Sequence, residues 1–373
     1  MIEVRELIHR AGPVPFSVFM GAALYGPSGF YTRGGGAGRR RDFLTSPEVG
    51  PLFGAVLAQA LDTWWDEAAQ PDPFFVAESG AGPGTLCRDV LRAGPRCAGA
   101  LRYVLVDLSE PMRTLHRSLR VPLVEPFELM GSSLSDADGE VSFGPGQGPL
   151  VCSLPELPTE PMHVVLANEL LDNLAFDVAQ RDVNGWKEIR IGLGNDGAFL
   201  PTLIDLNPSR SHVLFDLLPD APVGCSVPLQ HAAVAWIGEA RAAVASTGGR
   251  VVAIDYGASM AELAGRDGQW LRTYRDHQRG IDPLAFAGTC DITADVGLDF
   301  VGRVHHPATV STQADFLRQH GIEGLMNDAR AVWTARADIG DLAAVSARSL
   351  VGGGEALLDP SGLGAFVVME WRG

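Results

Sequence analysis

The sequence predicts an α/β protein: a Rossmann-like parallel sheet with an added, mostly helical region. Three observations carry this. Strand-like and helix-like runs alternate through 74–78, 85–93, 102–107, 110–119 and 163–167, and such alternation builds a parallel sheet covered on both faces. The strand-like Phe74-Phe75-Val76-Ala77 passes directly into Glu78-Ser79-Gly80-Ala81-Gly82-Pro83-Gly84-Thr85 and then into a helix-like run from Leu86 to Leu91. Strand, glycine turn and helix form the ligand-binding corner of a doubly wound sheet, because glycine lets the backbone turn at positive φ and lie against a ligand. A second strand, Arg102-Tyr103-Val104-Leu105-Val106, ends in the carboxylate of Asp107.

The remaining elements follow in order. Phe16 to Tyr25 is apolar and helical in pattern, and Gly34-Gly35-Gly36-Ala37-Gly38-Arg39-Arg40-Arg41 is a flexible basic loop. Ser46-Pro47-Glu48 predicts a helix start, with a hydroxyl cap, proline in the first turn and an acid at the positive helix end. The helix that follows places Phe53, Val56, Leu57, Ala60, Leu61 and Trp64 on one face, the spacing of a core-facing surface. From Pro126 to Pro161 the chain is rich in Gly, Pro and Ser and reads as a long connection with weak strand signals. Residues 176–202 alternate like strands around a hairpin turn at Asn184-Gly185. A helix over 229–245 leads into the strand Arg250 to Asp255, residues 312–350 are mostly helical, and Ala365 to Trp371 is a closing strand. The expected organisation is an N-terminal helical and lid region over 1–70, an α/β core with insertions over 71–300, and a helical region over 301–373 that returns a strand to the core sheet.

Composition narrows the function. A chain of 373 residues, 46% of them hydrophobic, can bury a large α/β core with an appendage. The net charge of -16 repels phosphate, which argues against a nucleic-acid substrate, while a cationic one is attracted. The five cysteines, Cys87, Cys97, Cys152, Cys225 and Cys290, are scattered without C-x-x-C, as suits a reducing compartment. There is no H-E-x-x-H, and His305-His306 reads as a loop pair, so no metal is expected. No apolar run reaches membrane-spanning length. Met1-Ile2-Glu3-Val4-Arg5-Glu6 has no signal-peptide character, so a cytoplasmic location is expected. Lys187 is the single lysine among the basic residues, a bias expected of a GC-rich bacterial genome.

Spacing in the glycine loop selects the ligand. A dinucleotide fingerprint, G-x-G-x-x-G, needs glycine at 85, where Thr85 stands. The observed G-x-G-x-G after an acid is the pattern of S-adenosylmethionine-dependent methyltransferases. Glu78, Gly80, Gly82 and Gly84 are therefore candidate cofactor-binding residues. Asp107 lies about 20 residues further on, where a carboxylate accepts both hydroxyls of a ribose; its alternative is a cap for the helix starting near Glu110, for which Ser109 is the better residue. Strand His163-Val164-Val165-Leu166-Ala167 runs into Asn168-Glu169-Leu170-Leu171-Asp172, so Asn168 and Glu169 point at the same crevice, since ligands bind at the carboxyl ends of strands. In methyltransferases acting on nitrogen, a polar residue here orients the N–H. On a helix, Glu169 and Asp172 share a face and could hold a guanidinium in a forked contact. The competing reading is a helix start, with Asn168 as cap and Glu169 at the positive end.

These residues also carry a resemblance. Leu24-Tyr25-Gly26-Pro27-Ser28-Gly29-Phe30-Tyr31, Asp42-Phe43-Leu44-Thr45-Ser46-Pro47-Glu48 with Phe53-Gly54, the glycine loop, Asn168 to Asp172, Asp255-Tyr256-Gly257, His277 with Asp291-Ile292-Thr293-Ala294-Asp295-Val296, and Gln313 follow one another in the order of the motifs of one family. Over nearly its whole length the chain resembles the MidA family of S-adenosylmethionine-dependent methyltransferases, which includes the mitochondrial complex I assembly factor that methylates a protein arginine.

The resemblance implies a class I methyltransferase sheet, S-adenosylmethionine as cofactor, and methyl transfer to an exposed arginine of a protein partner. It places Thr45 in the cofactor site with Glu78, Gly80, Gly82, Gly84 and Asp107, and gives Asn168, Glu169 and Asp172 the catalytic role. Three positions depart from the family: Arg41 replaces a glycine, Asn173-Leu174-Ala175 replaces A-x-P, and Asp107 replaces a glutamate. The last preserves ribose chemistry, and the first two bear on the acceptor. Methylation of a small molecule and a non-catalytic assembly role are the alternative readings. A nicotinamide oxidoreductase is disfavoured by the loop spacing.

Overall fold

The computed structural model describes residues 1–35, 45–130, 144–275 and 278–373, without the side chains of Phe127 and Met130. Arg41, Asp42, Phe43, Leu44 and His277 of the motifs, and most of the expected basic loop, lie outside the described residues. The chain divides into two units. One gathers Leu44–Glu169, Ala240–Ile254 and Pro307–Gly373; the other gathers Met1–Phe43, Leu170–Glu239 and Asp255–His306.

The first unit is built on a seven-stranded sheet. Its strands are β1 (Phe74–Ser79), β2 (Leu101–Val106), β3 (Leu150–Leu154), β4 (Val164–Asn168), β5 (Arg250–Asp255), β6 (Thr309–Thr312) and β7 (Val367–Arg372). Their spatial order is β6-β7-β5-β4-β1-β2-β3. β3, β2, β1, β4 and β5 run parallel, and β6 is antiparallel to β7. The chain builds outward from β1 through β2 and β3, then restarts at β4 on the other side of β1. The switch point between β1 and β4 is where open α/β sheets bind ligands, beyond the carboxyl ends of the strands. There Ser79 is paired in register with Ala167, so the glycine loop and Asn168 leave the sheet side by side.

Burial on both faces explains the near-continuous apolar strands: every residue of β2 and β5 is buried. The unit's helices include α1 (Ser46–Val49), α2 (Pro51–Glu67), α3 (Thr85–Ala93), α4 (Glu110–His116), α5 (Gln313–Gln319), α6 (Ile322–Ala335) and α7 (Leu342–Leu358). The expected face of α2 is buried throughout, from Phe53 to Trp64. It packs with Phe74, Val76, Leu101 and Tyr103 of the sheet and with Phe316, Ile322, Met326 and Leu357 of the C-terminal helices in one core. Each such large side chain contributes about 1.5–3 kcal/mol on burial.

Two expectations need correction. The helix at Ser46 is only four residues long, its cap is Thr45 with no side-chain cap bond, and the long helix starts afresh at Pro51. Ser46 Oγ is committed elsewhere, donating to Gln313 Oε1 at 3.0 Å. The connection 126–161 also holds a full strand, β3. Its parallel partner β2, not its own short apolar run, determines it.

In the second unit an antiparallel sheet joins Val14–Pro15, Asp177–Asp182, Gly185–Leu193, Phe199–Asp205 and Ser226–Leu229. Asp182 pairs with Gly185, so the two-residue turn is Val183-Asn184, one residue before the expected one. The helix Phe16–Tyr25 buries Phe16, Phe19, Met20, Ala23 and Leu24. A smaller sheet sets Leu271–Arg275 between Gln278–Arg279 and Asp291–Ala294. Among the described residues no helix is long and apolar enough to cross a membrane.

Candidate functional site

Gly80, Gly82 and Gly84 all adopt left-handed backbone, at φ +70°, +53° and +78°, which a side chain disfavours and glycine does not. Two of the three have different local reasons to lack a side chain. A Cβ on Gly84 would come within 2.5 Å of a Leu119 methyl, so Gly84 makes room for the packing of its own unit. A Cβ on Gly82 would meet nothing within 4 Å, so the loop presents an open backbone surface there.

The loop is held from several directions. Ala81 N–H donates to Val106 O at 3.1 Å, and Gly84 N–H to Ala81 O at 2.9 Å. Gly82 N–H donates to Asp107 Oδ2 at 2.8 Å, and Ser109 N–H to Asp107 Oδ1 at 2.8 Å. Asp107 thus closes the turn into α4, whose cap is Ser109, and braces the glycine loop, a role the sequence reading did not give it. Burial pushes its carboxyl pKa up, against the two N–H bonds and the charge of Arg113. Each carboxylate oxygen has two lone pairs, so one backbone donor on each leaves capacity for the hydroxyls of a ribose.

Glu78 lies deeper. It is 4% exposed, and Tyr103 Oη–H donates to its Oε2 at 2.7 Å. Burial raises its pKa to about 8, against the hydrogen bonds from Tyr103 and the Cys87 backbone, with the Asp107 charge adding to the rise. Its hydrogen bonds come from Tyr103 of β2 and from the Cys87 backbone of α3.

The Thr45-Ser46-Pro47-Glu48 motif acts as a clasp, which the sequence reading missed. Thr45 is nearly buried at the start of α1. Thr85 Oγ1–H, at the first residue of α3, donates to Glu48 Oε1 at 2.6 Å. Ser46 N–H donates to Glu169 Oε1 at 3.1 Å. One short helix therefore touches both the segment after the glycine loop and the residue after β4.

Asn168 ends β4 and Glu169 follows at φ +53°, a conformation costing a non-glycine residue about 1–3 kcal/mol. Glu169 N–H donates to Ile254 O at 2.8 Å, and Asn168 Nδ2–H donates to Glu169 Oε1 at 3.1 Å. Asn168 Oδ1 is buried with no hydrogen-bond partner among the described residues.

The expected helix after β4 does not form. Leu171 to Asn173 is a turn, so Glu169 and Asp172 share no helix face and Asn168 has no helix to cap. The backbone of this turn is held by distant partners. Leu171 and Asp172 N–H both donate to Asp255 Oδ2, at 2.8 and 3.2 Å, and Asp172 C=O accepts from Ala294 N–H at 2.9 Å.

Asp172 belongs to the second unit, where it joins a buried polar network. Tyr256 Oη–H donates to Asp172 Oδ2, with Thr293 Oγ1 2.7 Å from the same hydroxyl. Tyr31 Oη–H donates to Asp291 Oδ1 at 3.1 Å, and Asn173 Nδ2–H to the same oxygen at 3.0 Å. Tyr25 Oη–H reaches Asn173 Oδ1 at 2.9 Å, and the Tyr25 and Tyr31 rings stack 5.3 Å apart. Asp172 Oδ1 and Asp291 Oδ2 are buried without a partner among the described residues. Burial raises Asp172 to about 6, against the Tyr256 hydroxyl and the Arg272 charge. Burial and then the Asp172 charge raise Asp291 to about 7. Tyr25, Tyr31, Tyr256 and Asp291 stood in the sequence motifs without an assigned role. The signal available was the presence of these three tyrosines and this carboxylate within the motifs.

All five cysteines are free and buried. Among the described residues no group of three or more His, Cys, Asp or Glu could hold a metal ion.

Comparisons with known proteins agree on one family of methyltransferases. The family model "Putative S-adenosyl-L-methionine-dependent methyltransferase" matches residues 56–314. The mitochondrial protein arginine methyltransferase NDUFAF7 of Rattus norvegicus is 27% identical over 347 residues, 86% of this chain and 74% of that protein. Its Homo sapiens counterpart is 26% identical over 355 residues, 86% and 73% of the two chains. The crystal structure of a superfamily relative from Burkholderia thailandensis, bound to S-adenosyl-homocysteine, has a TM-score of 0.80 at 26% identity, covering 100% of this chain and 91% of that one. The site residues fit such a cofactor: the backbone is open at Gly82, and Asp107 retains acceptor capacity beside it. With its strand order, glycine loop and matched span, the chain belongs to the MidA family of S-adenosylmethionine-dependent methyltransferases.

Proposed function

We propose that the protein methylates a guanidinium nitrogen of an arginine in another protein. The observation that carries this is Glu169. It leaves β4 next to the strand that feeds the glycine loop, with its carboxylate fixed by Ser46 and Asn168. When bound, the cofactor supplies an electrophilic methyl group on a sulfonium. The chain's own task is positioning and charge control. A guanidinium is always protonated in water, so a nitrogen can attack only if its lone pair is freed and the remaining charge is held. Glu169 accepts an N–H of the acceptor and orients it, and the buried Oδ1 of Asn168 accepts a second. Asp172 holds positive charge within its own network. Gly80, Gly82, Gly84 and Asp107 hold the cofactor, with Glu78 and Thr45 supporting the loop and its neighbouring segment. The names of the NDUFAF7 relatives and the net charge of -16 support a cationic acceptor.

One observation favours a second reading, a small amino or guanidino compound. Asn173, where the family has alanine, is the residue that links Tyr25 to Asp291. The test of both is mass spectrometry of proteins from a deletion strain and its parent, with purified protein and labelled S-adenosylmethionine added back. Arginine methylation lost in the deletion and restored by the protein supports the first reading. Label appearing only in the small-molecule fraction replaces it with the second.

A further inference from the structure

His116, the last residue of α4, is 0% exposed, and both its ring nitrogens are engaged. Nε2 lies 2.8 Å from Gly82 O and Nδ1 lies 2.8 Å from Ser153 Oγ on β3. A carbonyl oxygen can only accept, so Nε2 carries the proton, and Nδ1 accepts from the Ser153 hydroxyl. Burial pushes the imidazole pKa down, against the Gly82 bond and with the Arg113 charge, so the neutral ring is favoured.

The consequence lies at Gly82. Its N–H is taken by Asp107, at the end of β2, and its C=O by His116, at the end of α4. Both polar groups of the residue with the open face are thus held by side chains from other elements. Glycine at φ +53° has a broad choice of conformations, and these two bonds select one. Ser153 is the third part: its hydroxyl sets the ring orientation that aims Nε2–H at the carbonyl.

We propose that His116, oriented by Ser153, is a positioning residue for the cofactor, holding the Gly82 backbone in the conformation against which S-adenosylmethionine rests. Nothing in the sequence motifs marks either residue.

The test is calorimetric binding of S-adenosyl-homocysteine to the full chain, with melting temperature recorded for each variant. His116→Leu leaves the buried Gly82 carbonyl without its donor and should weaken binding about 10- to 100-fold. His116→Gln keeps an amide N–H able to reach that carbonyl and should recover most of the loss. Ser153→Ala keeps the ring but frees it, and should weaken binding about 3- to 10-fold with little change in melting temperature. In the wild type, nitrogen NMR should show the neutral ring protonated on Nε2, with or without ligand. If His116→Leu fails to fold, Ser153→Ala and His116→Gln decide. Wild-type affinity in Ser153→Ala, or no difference between the Gln and Leu variants, overturns the proposal. A wild-type chain that does not bind S-adenosyl-homocysteine overturns the cofactor assignment to this loop and the proposal with it.

Discussion

The backbone N–H of Ser46 donates to the Glu169 carboxylate at 3.1 Å, joining two motifs 123 residues apart. The same oxygen, Oε1, accepts from Asn168 Nδ2–H. Glu169→Gln can therefore keep both bonds through its amide oxygen while losing the charge. The expected outcome is a near-normal melting temperature, little change in S-adenosylmethionine affinity, and methyl transfer lower by about 100-fold or more, the scale of one lost preorganised electrostatic contact. Glu169→Ala should lose the clasp as well and melt earlier. Single-turnover transfer from labelled cofactor, with melting measured alongside, checks this. An early-melting Gln variant that transfers normally would leave Glu169 a purely structural role.

Gly82→Val tests the cofactor loop. Valine at φ +53° carries a backbone penalty of about 1–2 kcal/mol, and its side chain would occupy the face that is open in the wild type. Calorimetry should show binding of S-adenosylmethionine lost while circular dichroism still reports a folded chain. Retained wild-type affinity would move the cofactor away from this loop.

Glu78 makes stability depend on pH. Its folded pKa, about 8, is above its ordinary value of 4.5, so between those values the folded state binds the extra proton. The stability this provides is complete below about pH 4.5 and is lost as pH rises towards 8, with a slope of up to about 1.4 kcal/mol per pH unit. Glu78→Gln keeps a neutral group at all pH. The wild type should lose stability relative to this variant in denaturant titrations run from pH 5 to 8. Parallel curves across that range would show that Glu78 is already ionised in the folded protein.

A catalytic role for the Asp172 carboxylate predicts an acidic limb on activity. If its charged form is required, transfer should be present above about pH 6 and fall as the carboxyl takes up a proton below it. The Tyr256 hydroxyl lowers the Asp172 pKa, so Tyr256→Phe should move the limb to higher pH. The measurement is the pH profile of kcat/KM for both proteins. A limb at the same pH in each would detach Asp172 from catalysis.

The sheet was legible because its signals are local. The run Phe74 to Ala77, the glycines at 80, 82 and 84, and the buried face of α2 are each determined within a dozen residues by periodicity and backbone freedom. β3 was not legible, since Leu150–Leu154 is a short apolar run and becomes a strand by pairing with β2. The turn after β4 was misread as a helix for a related reason. Asn-Glu-Leu-Leu-Asp has acceptable helix propensity, but Asp255, over 80 residues away, takes two of its N–H groups, and tertiary bonds override weak propensity.

By itself, then, the sequence determined the strand-loop-helix corner, the carboxylate of Asp107 beyond it and the order of the family motifs, all readable along the chain without knowledge of any distant contact. The tertiary structure alone decided that Ser46 meets Glu169, that His116 and Asp107 grip one glycine, and that Asp172 and Asp291 share a buried tyrosine network with raised pKa values. Those are relations between distant residues. Burial and hydrogen bonding act through space, and no local pattern encodes which distant donor a buried carboxylate or carbonyl will find.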